Sequence, residues 1–150
     1  MSDPVFSLSD FRLDKDLKVS GIWKEFGGGA AFKIASFDNA SFTEAFRKAT
    51  KPYTDLGREV PEADQIEIMC RAMANFIVLD WRGIYDVVKD ADGNVVLDDD
   101  GKEKLELIEY SIDNAYRLLF ELEWIRSKLV TEAQNLANFR KKATEDTEKN

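Results

Sequence analysis

The spacing of apolar and polar residues first predicts a β-hairpin near the start of the chain. Apolar residues recur at a period of two in two short runs, Leu17, Val19 and Trp23, then Phe32 and Ile34. Gly27-Gly28-Gly29 separates the runs, and glycine adopts the positive φ angles that a tight turn needs. A phosphate-binding loop is disfavoured because no lysine-serine pair follows the glycines and no helix begins there. We therefore predict a hairpin over residues 17–37 that turns at the glycines.

The next pattern predicts a short helix over residues 41–51. Ser41 and Glu44 have the spacing of a capping box at a helix N-terminus. Apolar residues then recur at helical spacing: Phe42, Ala45, Phe46 and Ala49. Pro52 is expected to end the helix because the residue before a proline avoids helical backbone angles.

The broadest apolar stripe predicts a central core helix over residues 62–82. Its members recur at steps of three and four residues: Ile66, Cys70, Met73, Ile77, Trp81 and Ile84. Pro61 suits the first position of such a helix, and Gly83 suits the position just after its end. The one cysteine, Cys70, lies on the stripe and is expected to be a small buried side chain.

The stretch from Asp86 to Glu109 is the most polar part of the chain. Asp92-Gly93-Asn94 lies between two valine-containing runs and predicts a second, short hairpin within an acidic loop. The run Asp98-Asp99-Asp100-Gly101 does not fit a calcium loop, because neither glycine register places oxygen ligands first and glutamate last. A solvated loop that tolerates trimming is expected here.

The last helical pattern covers residues 111–143, with Ser111 as its predicted cap. One long helix, or two with a bend between Glu121 and Trp124, both fit the spacing. Phe120 and Trp124 lie one turn apart beside the apolar stripe. They are either core residues or an exposed ridge. We hypothesise that they are partner-binding residues.

Together these patterns predict an α+β fold that is mostly α. The N-terminal hairpin would pack on a small helical bundle, and the second hairpin would lie in the acidic loop. Residues 1–16 are predicted to form a flexible arm, residues 17–143 a single globular domain, and residues 144–150 a frayed tail. No internal repeat is recognised.

Composition narrows the functional classes. The 150 residues contain 29 acids and 21 bases, and the net charge of −8 opposes binding to nucleic acid or to an anionic membrane. The chain has no histidine, which excludes histidine-dependent triads, dyads and metal sites. We expect no enzyme activity, no catalytic residue, no metal and no cofactor. The start of the chain lacks the apolar run of a signal peptide, so a cytoplasmic location is expected.

Several landmarks resemble those of a known family. They are Val19-Ser20-Gly21-Ile22-Trp23, Ala31-Phe32-Lys33-Ile34-Ala35, Lys51-Pro52-Tyr53, Val78-Leu79-Asp80-Trp81-Arg82-Gly83-Ile84, Tyr110-Ser111 and Ala133-Gln134-Asn135. In this order, from about Val19 to Phe139, the chain resembles a tail assembly chaperone of long-tailed bacteriophages. The loop from Asp86 to Glu109 is longer than the family pattern.

The resemblance implies a non-enzymatic protein of the host bacterial cytoplasm. Such chaperones bind the tape measure protein, help to recruit tail tube protein and are absent from the mature virion. Homo-oligomerisation and a longer, frameshifted form are left open. Two alternatives remain: a structural tail component retained in the virion, and an acidic DNA mimic that inhibits a host DNA-binding protein.

Overall fold

The computed structural model describes residues 6–140 of the chain. The α-helices in this range are α1 (Lys15–Ser20), α2 (Ala40–Thr54), α3 (Glu62–Phe76), α4 (Ile112–Glu121) and α5 (Glu123–Gln134). The strands are β1 (Ile22–Gly27), β2 (Ala30–Ile34), β3 (Val78–Arg82), β4 (Tyr85–Val87) and β5 (Leu105–Leu107), and short 3-10 helices lie at Leu8–Phe11 and Leu136–Phe139. Strands β1, β2 and β3 form one antiparallel sheet, and β4 and β5 form another. The predicted α+β class is confirmed.

The hairpin begins later than the sequence predicts. Residues 15–20 form α1, whose N-cap is Asp14, and the Asp14 carboxylate accepts a hydrogen bond from the backbone N–H of Leu17. The prediction of strand from Leu17 is therefore wrong, because an Asp cap stabilises a local helical turn that the period-two pattern does not reveal. Trp23 pairs with Lys33, whereas the neighbouring pair Ile22 and Ile34 is buried. Trp23 thus lies on the sheet face opposite to Ile22 and Ile34.

The prediction of the central helix is correct for the buried apolar stripe and wrong for the position at which the helix ends. Cys70, Met73 and Ile77 are fully buried, as expected of a core helix. However, α3 ends at Phe76, and Val78–Arg82 forms β3 on the edge of β2 instead of a last helical turn. A short apolar run rich in β-branched and aromatic residues suits either structure, and the free edge of β2 supplies the hydrogen bonds that favour a strand.

Helix α2 is longer than predicted at both ends. Its N-cap is Asn39, whose side-chain oxygen accepts from the backbone N–H of Ser41 at 3.0 Å, so the predicted capping box is wrong. Glu44 pairs instead with Arg47 at 2.7 Å, and this hydrogen bond lowers the pKa of Glu44. Pro52 does not end the helix, which runs to Thr54. Proline lacks the N–H that would donate to the carbonyl four residues earlier, so Pro52 costs the helix one hydrogen bond without ending it.

The C-terminal region consists of two helices, which confirms the bent alternative. Ser111 caps α4 as predicted and accepts from the backbone N–H of Asn114 at 3.0 Å. The break lies at Leu122, and the helical region ends at Gln134 rather than at residue 143. Residues 141–143, the predicted tail at 144–150 and residues 1–5 of the predicted arm lie outside the described residues. Within the described part of that arm, the backbone N–H of Asp14 donates to Phe139 O at 2.8 Å.

The acidic loop is built on a short internal repeat that the sequence reading missed. Strands β4 and β5 form its stem. The predicted short hairpin at Asp92-Gly93-Asn94 is present above the stem, where Lys89 and Val95 form an antiparallel bridge. Two octads follow, residues 88–95 and 96–103, with the common pattern Asp-x-Asp-Gly at their centres. In each octad the first aspartate accepts two backbone N–H groups in the same geometry.

The two octads meet the stem in a closed ring of three backbone hydrogen bonds. The N–H of Val88 donates to Lys104 O, the N–H of Lys104 to Val96 O, and the N–H of Val96 to Val88 O, at 2.8 to 2.9 Å. The three residues are eight positions apart. Each octad is therefore one arm of a three-way junction, and its backbone polar groups are satisfied within the junction.

Candidate interaction surface

The break between α4 and α5 determines which aromatic side chains reach the surface. Leu122 has non-helical backbone angles, with φ −112° and ψ 83°. Arg126 reaches back across the break, and its Nη1 donates to Leu119 O at 2.9 Å. This contact satisfies a carbonyl at the C-terminal end of α4 that has no partner within the helix. Phe120 and Trp124 consequently lie on two different helices, and the one-turn spacing of a continuous helix does not apply to them.

Phe120 lies at the end of α4 and is 49% exposed. Its ring stacks on Tyr116 with the centroids 5.8 Å apart. The guanidinium of Arg71 on α3 lies 4.5 Å from the Tyr116 ring centroid, which is a cation–π geometry. The exposed ring of Phe120 is thus supported by a neighbour that is itself held against α3.

Trp124 lies in the first turn of α5 and is 76% exposed. Lys128 Nζ lies 5.7 Å from the Trp124 ring and 4.7 Å from the ring of Phe26 on β1. Leu122, between the two aromatic residues, is 46% exposed. The interpretation of Phe120 and Trp124 as core residues is therefore wrong. We call Phe120, Leu122 and Trp124 the kink surface.

A second apolar surface was missed at the level of the sequence. Tyr85, Leu105 and Leu107 on β4 and β5 are all more than half exposed. The available signal was the alternation of apolar and acidic residues in Tyr85-Asp86-Val87 and Leu105-Glu106-Leu107. It was overlooked because these strands are only three residues long and the surrounding stretch is strongly acidic.

The potential metal ligands of residues 6–140 are dispersed. No cluster of three or more cysteine, aspartate or glutamate residues in this range could hold a metal ion. Cys70 is buried, and burial raises the pKa of its thiol against the opposing charge of Arg126. A groove of about 440 Å³ lies beside β3, and one of about 510 Å³ lies between the β4–β5 hairpin and α4.

Two other candidate features have structural explanations. The turn at Gly27–Gly29 has three positive φ angles and joins β1 to β2, which confirms the hairpin turn. Asp98 Oδ1 accepts the backbone N–H groups of Asp100 and Lys102 at 2.9 Å, so this carboxylate stabilises its own turn. Among residues 6–140, none of the helices combines the length and the hydrophobicity of a membrane span.

These features define a small α+β protein whose most conspicuous surface groups are exposed apolar side chains. A family model described as YdaY prophage protein matches residues 37–150. The chain belongs to this family of prophage proteins and is therefore phage-derived. No curated protein and no solved structure is significantly similar to it.

Proposed function

We propose that this phage-derived protein is a tail assembly chaperone. It binds the tape measure protein in the host cytoplasm, keeps it soluble, helps to recruit tail tube protein and leaves before the virion is complete. It acts through surface contacts and not as an enzyme. The observation that carries the proposal is the exposure of the kink surface on a supported framework. Prophage origin is consistent with it.

The landmarks behind the resemblance are joined in space, which supports their use as a signature. Trp81 Nε1 donates to Ile108 O at 2.8 Å, and the Tyr110 hydroxyl donates to Val78 O at 2.7 Å. The tryptophan block of β3 and the tyrosine-serine pair before α4 therefore stabilise the same junction. Both landmarks have structural roles, so they position the surfaces and do not themselves bind a client.

The surface properties suit a client with apolar helices. Large exposed aromatic side chains bury much apolar area at low entropic cost. The net charge of −8 keeps the protein and its complexes dispersed. A few such contacts bind weakly enough to be displaced when tube subunits compete for the client.

The test is coexpression with the tape measure protein encoded by the same phage. Phe120→Ala with Trp124→Ala is expected to lower the soluble, co-purified tape measure protein by about tenfold, the loss expected for two interface aromatics. The matched control is Leu56→Ala with Val19→Ala, which removes two exposed apolar side chains elsewhere. The free energy of unfolding of both double variants should differ from that of the native chain by less than about 1 kcal/mol, because exposed positions contribute little to stability.

Two results would contradict the proposal. The first is equal recovery of tape measure protein with the kink variant and with the control. The second is detection of this protein by mass spectrometry in purified virions, in amounts stoichiometric with the tail proteins. That result would identify a structural tail component instead.

A further inference from the structure

The β4–β5 hairpin carries its apolar and acidic residues on opposite faces. The register pairs Tyr85 with Leu107 and Val87 with Leu105, so these four side chains lie on one face. Asp86 pairs with Glu106 on the other face. We call Tyr85, Val87, Leu105 and Leu107 the hairpin face.

The hairpin face is directed to solvent. Tyr85 is 59% exposed, and Leu105 and Leu107 are similarly exposed. Ile84 and Ile108, which continue the acidic face by alternation, pack instead against the core cluster. The groove beside α4 is lined by Asp86 and Glu106 of this second face, and Tyr85 and Leu107 of the hairpin face form its edge. The amphipathic hairpin thus leaves most of the area of Tyr85, Leu105 and Leu107 in solvent, the reverse of what folding alone favours.

The base of the hairpin is held firmly. The backbone N–H of Ile108 donates to Ile84 O at 2.8 Å, and Trp81 Nε1 donates to Ile108 O. The three-way junction closes its other end. A two-stranded hairpin by itself is only marginally stable in water, so this anchoring presents the hairpin face as a fixed surface.

The charge around the hairpin face selects its partner. Residues 85–109 contain nine acids and three bases, a net −6 within a chain of net −8. None of the ion pairs found in residues 6–140 involves this stretch. Two copies meeting through these faces would bring two uncompensated −6 regions together, which is repulsive. A partner with apolar residues flanked by lysine or arginine has complementary charge.

We propose that the hairpin face is a docking site for a basic amphipathic segment of another protein. Its apolar side covers Tyr85, Leu105 and Leu107, and its cationic groups meet the acidic octads. The hairpin face adjoins the kink surface, because Tyr85, Leu107 and Leu122 line one groove. Its own residues lie on β4 and β5 and are changed by different variants, so this proposal does not depend on the proposed chaperone function.

The test uses a synthetic amphipathic peptide of leucine and lysine, and a peptide of the same apolar pattern with glutamate for lysine. Amide chemical shifts of the isotope-labelled full chain should change on adding the lysine peptide, with the changes concentrated in residues 84–108. The glutamate peptide should leave them unchanged. Affinity for the lysine peptide should fall as salt rises, because exposed charges are screened.

Variants separate the two contributions. Leu105→Ser with Leu107→Ser should weaken binding of the lysine peptide about tenfold, whereas Leu56→Ser with Val19→Ser should change it less than about twofold. Asp99→Asn, Asp100→Asn and Glu103→Gln leave the hairpin face intact. Together they should weaken binding about threefold at low salt, with less effect at high salt. Persistence of the cross-strand nuclear Overhauser effects between β4 and β5 confirms that each variant keeps the hairpin.

Three results would overturn the inference. They are equal binding of the two peptides, shifts concentrated outside residues 84–108, and hairpin shifts that depend on protein concentration alone. The last would identify a second copy as the occupant. None of these results bears on the loss of tape measure protein from the kink variant.

Discussion

At the scale of single residues, the junction between β3 and β4 depends on a close approach of two backbones. Gly83 has φ +70°, and a Cβ atom added there would lie 2.3 Å from Gly29 O. Gly57 also has a positive φ, +66°, but a Cβ atom there would meet nothing within 4 Å. Substituting each glycine by alanine therefore distinguishes the stability lost through backbone strain, which applies at both positions, from the stability lost through a clash, which applies at Gly83.

Gly83→Ala is expected to lower the free energy of unfolding by about 3 kcal/mol, from left-handed backbone strain plus overpacking. Gly57→Ala should cost about 1 kcal/mol, because only the strain applies. Urea denaturation of both variants measures the difference. Equal losses would show that the turn at Gly29 moves away without cost.

Tyr110 gives a second prediction at this scale. Its hydroxyl donates to Val78 O at 2.7 Å, and burial, followed by the charge of Asp80, raises the pKa of Tyr110 above 10.0. A pKa raised by folding contributes stability that is present below the unfolded value and is lost as pH rises through the folded one. Tyr110→Phe should therefore lower the free energy of unfolding by about 1 kcal/mol at neutral pH. Above pH 10 the variant should lose less further stability than the native chain, because it has no phenol to ionise at this position.

Denaturation of native chain and variant at neutral and strongly alkaline pH tests this. The two stability curves should converge as pH rises past 10.0. Parallel curves would mean that the phenol ionises without affecting the fold.

At the scale of elements, the two octads behave as interchangeable units. In each octad, an aspartate carboxylate accepts the backbone N–H groups of its own turn. Each octad also contributes one hydrogen bond to the ring formed by Val88, Val96 and Lys104. Without one octad, two backbone hydrogen bonds would remain between the two residues that are left, which is the pairing found in an ordinary antiparallel hairpin.

Deletion of residues 96–103 is expected to change the free energy of unfolding by less than about 1 kcal/mol, since surface loops tolerate length changes well. Lys104 would then follow Val95 and donate to Val88 O in place of Val96. Deletion of residues 96–99 is the control. It removes half of the second octad, including Asp98, whose carboxylate stabilises the turn, and it breaks the eight-residue register. Denaturation together with amide shifts of Val88 and Lys104 gives the readout. A large loss from the full-octad deletion would show that the second arm supports the stem.

At the scale of the whole molecule, the main sheet crosses the boundary of the family match. The match begins at Phe37, whereas β1 and β2 precede it and β3 follows it. Strand β3 pairs with β2. Ile22, Phe32 and Ile34 from the unmatched part are buried in the core. The matched part therefore depends on residues outside it for its packing.

A chain that begins at Phe37 is expected to lose cooperative unfolding, because Val78 and Trp81 would lose the strand that covers them. A chain that begins at Leu13 is the control, since it keeps the bridge between Leu13 and Arg140 and all three strands. Thermal unfolding by circular dichroism distinguishes the two. A sharp transition in the shorter chain would show that the helices fold without the sheet.

The sequence alone determined the fold class, the buried stripe through Cys70 and Met73, the glycine turn and the Ser111 cap. These features depend on local spacing and on glycine and capping chemistry, which a single stretch of chain contains in full. It also indicated Phe120 and Trp124 as candidate residues, while leaving open whether they are buried.

Only the tertiary structure decided the rest. Val78–Arg82 became a strand because β2 offers a free edge, and no local pattern records a partner that lies over forty residues away. The break at Leu122 is stabilised by Arg126, and it places Phe120 and Trp124 on separate helices at the surface. Which apolar residues stay uncovered is settled by the packing of distant elements, and those uncovered residues are where the proposed functions lie.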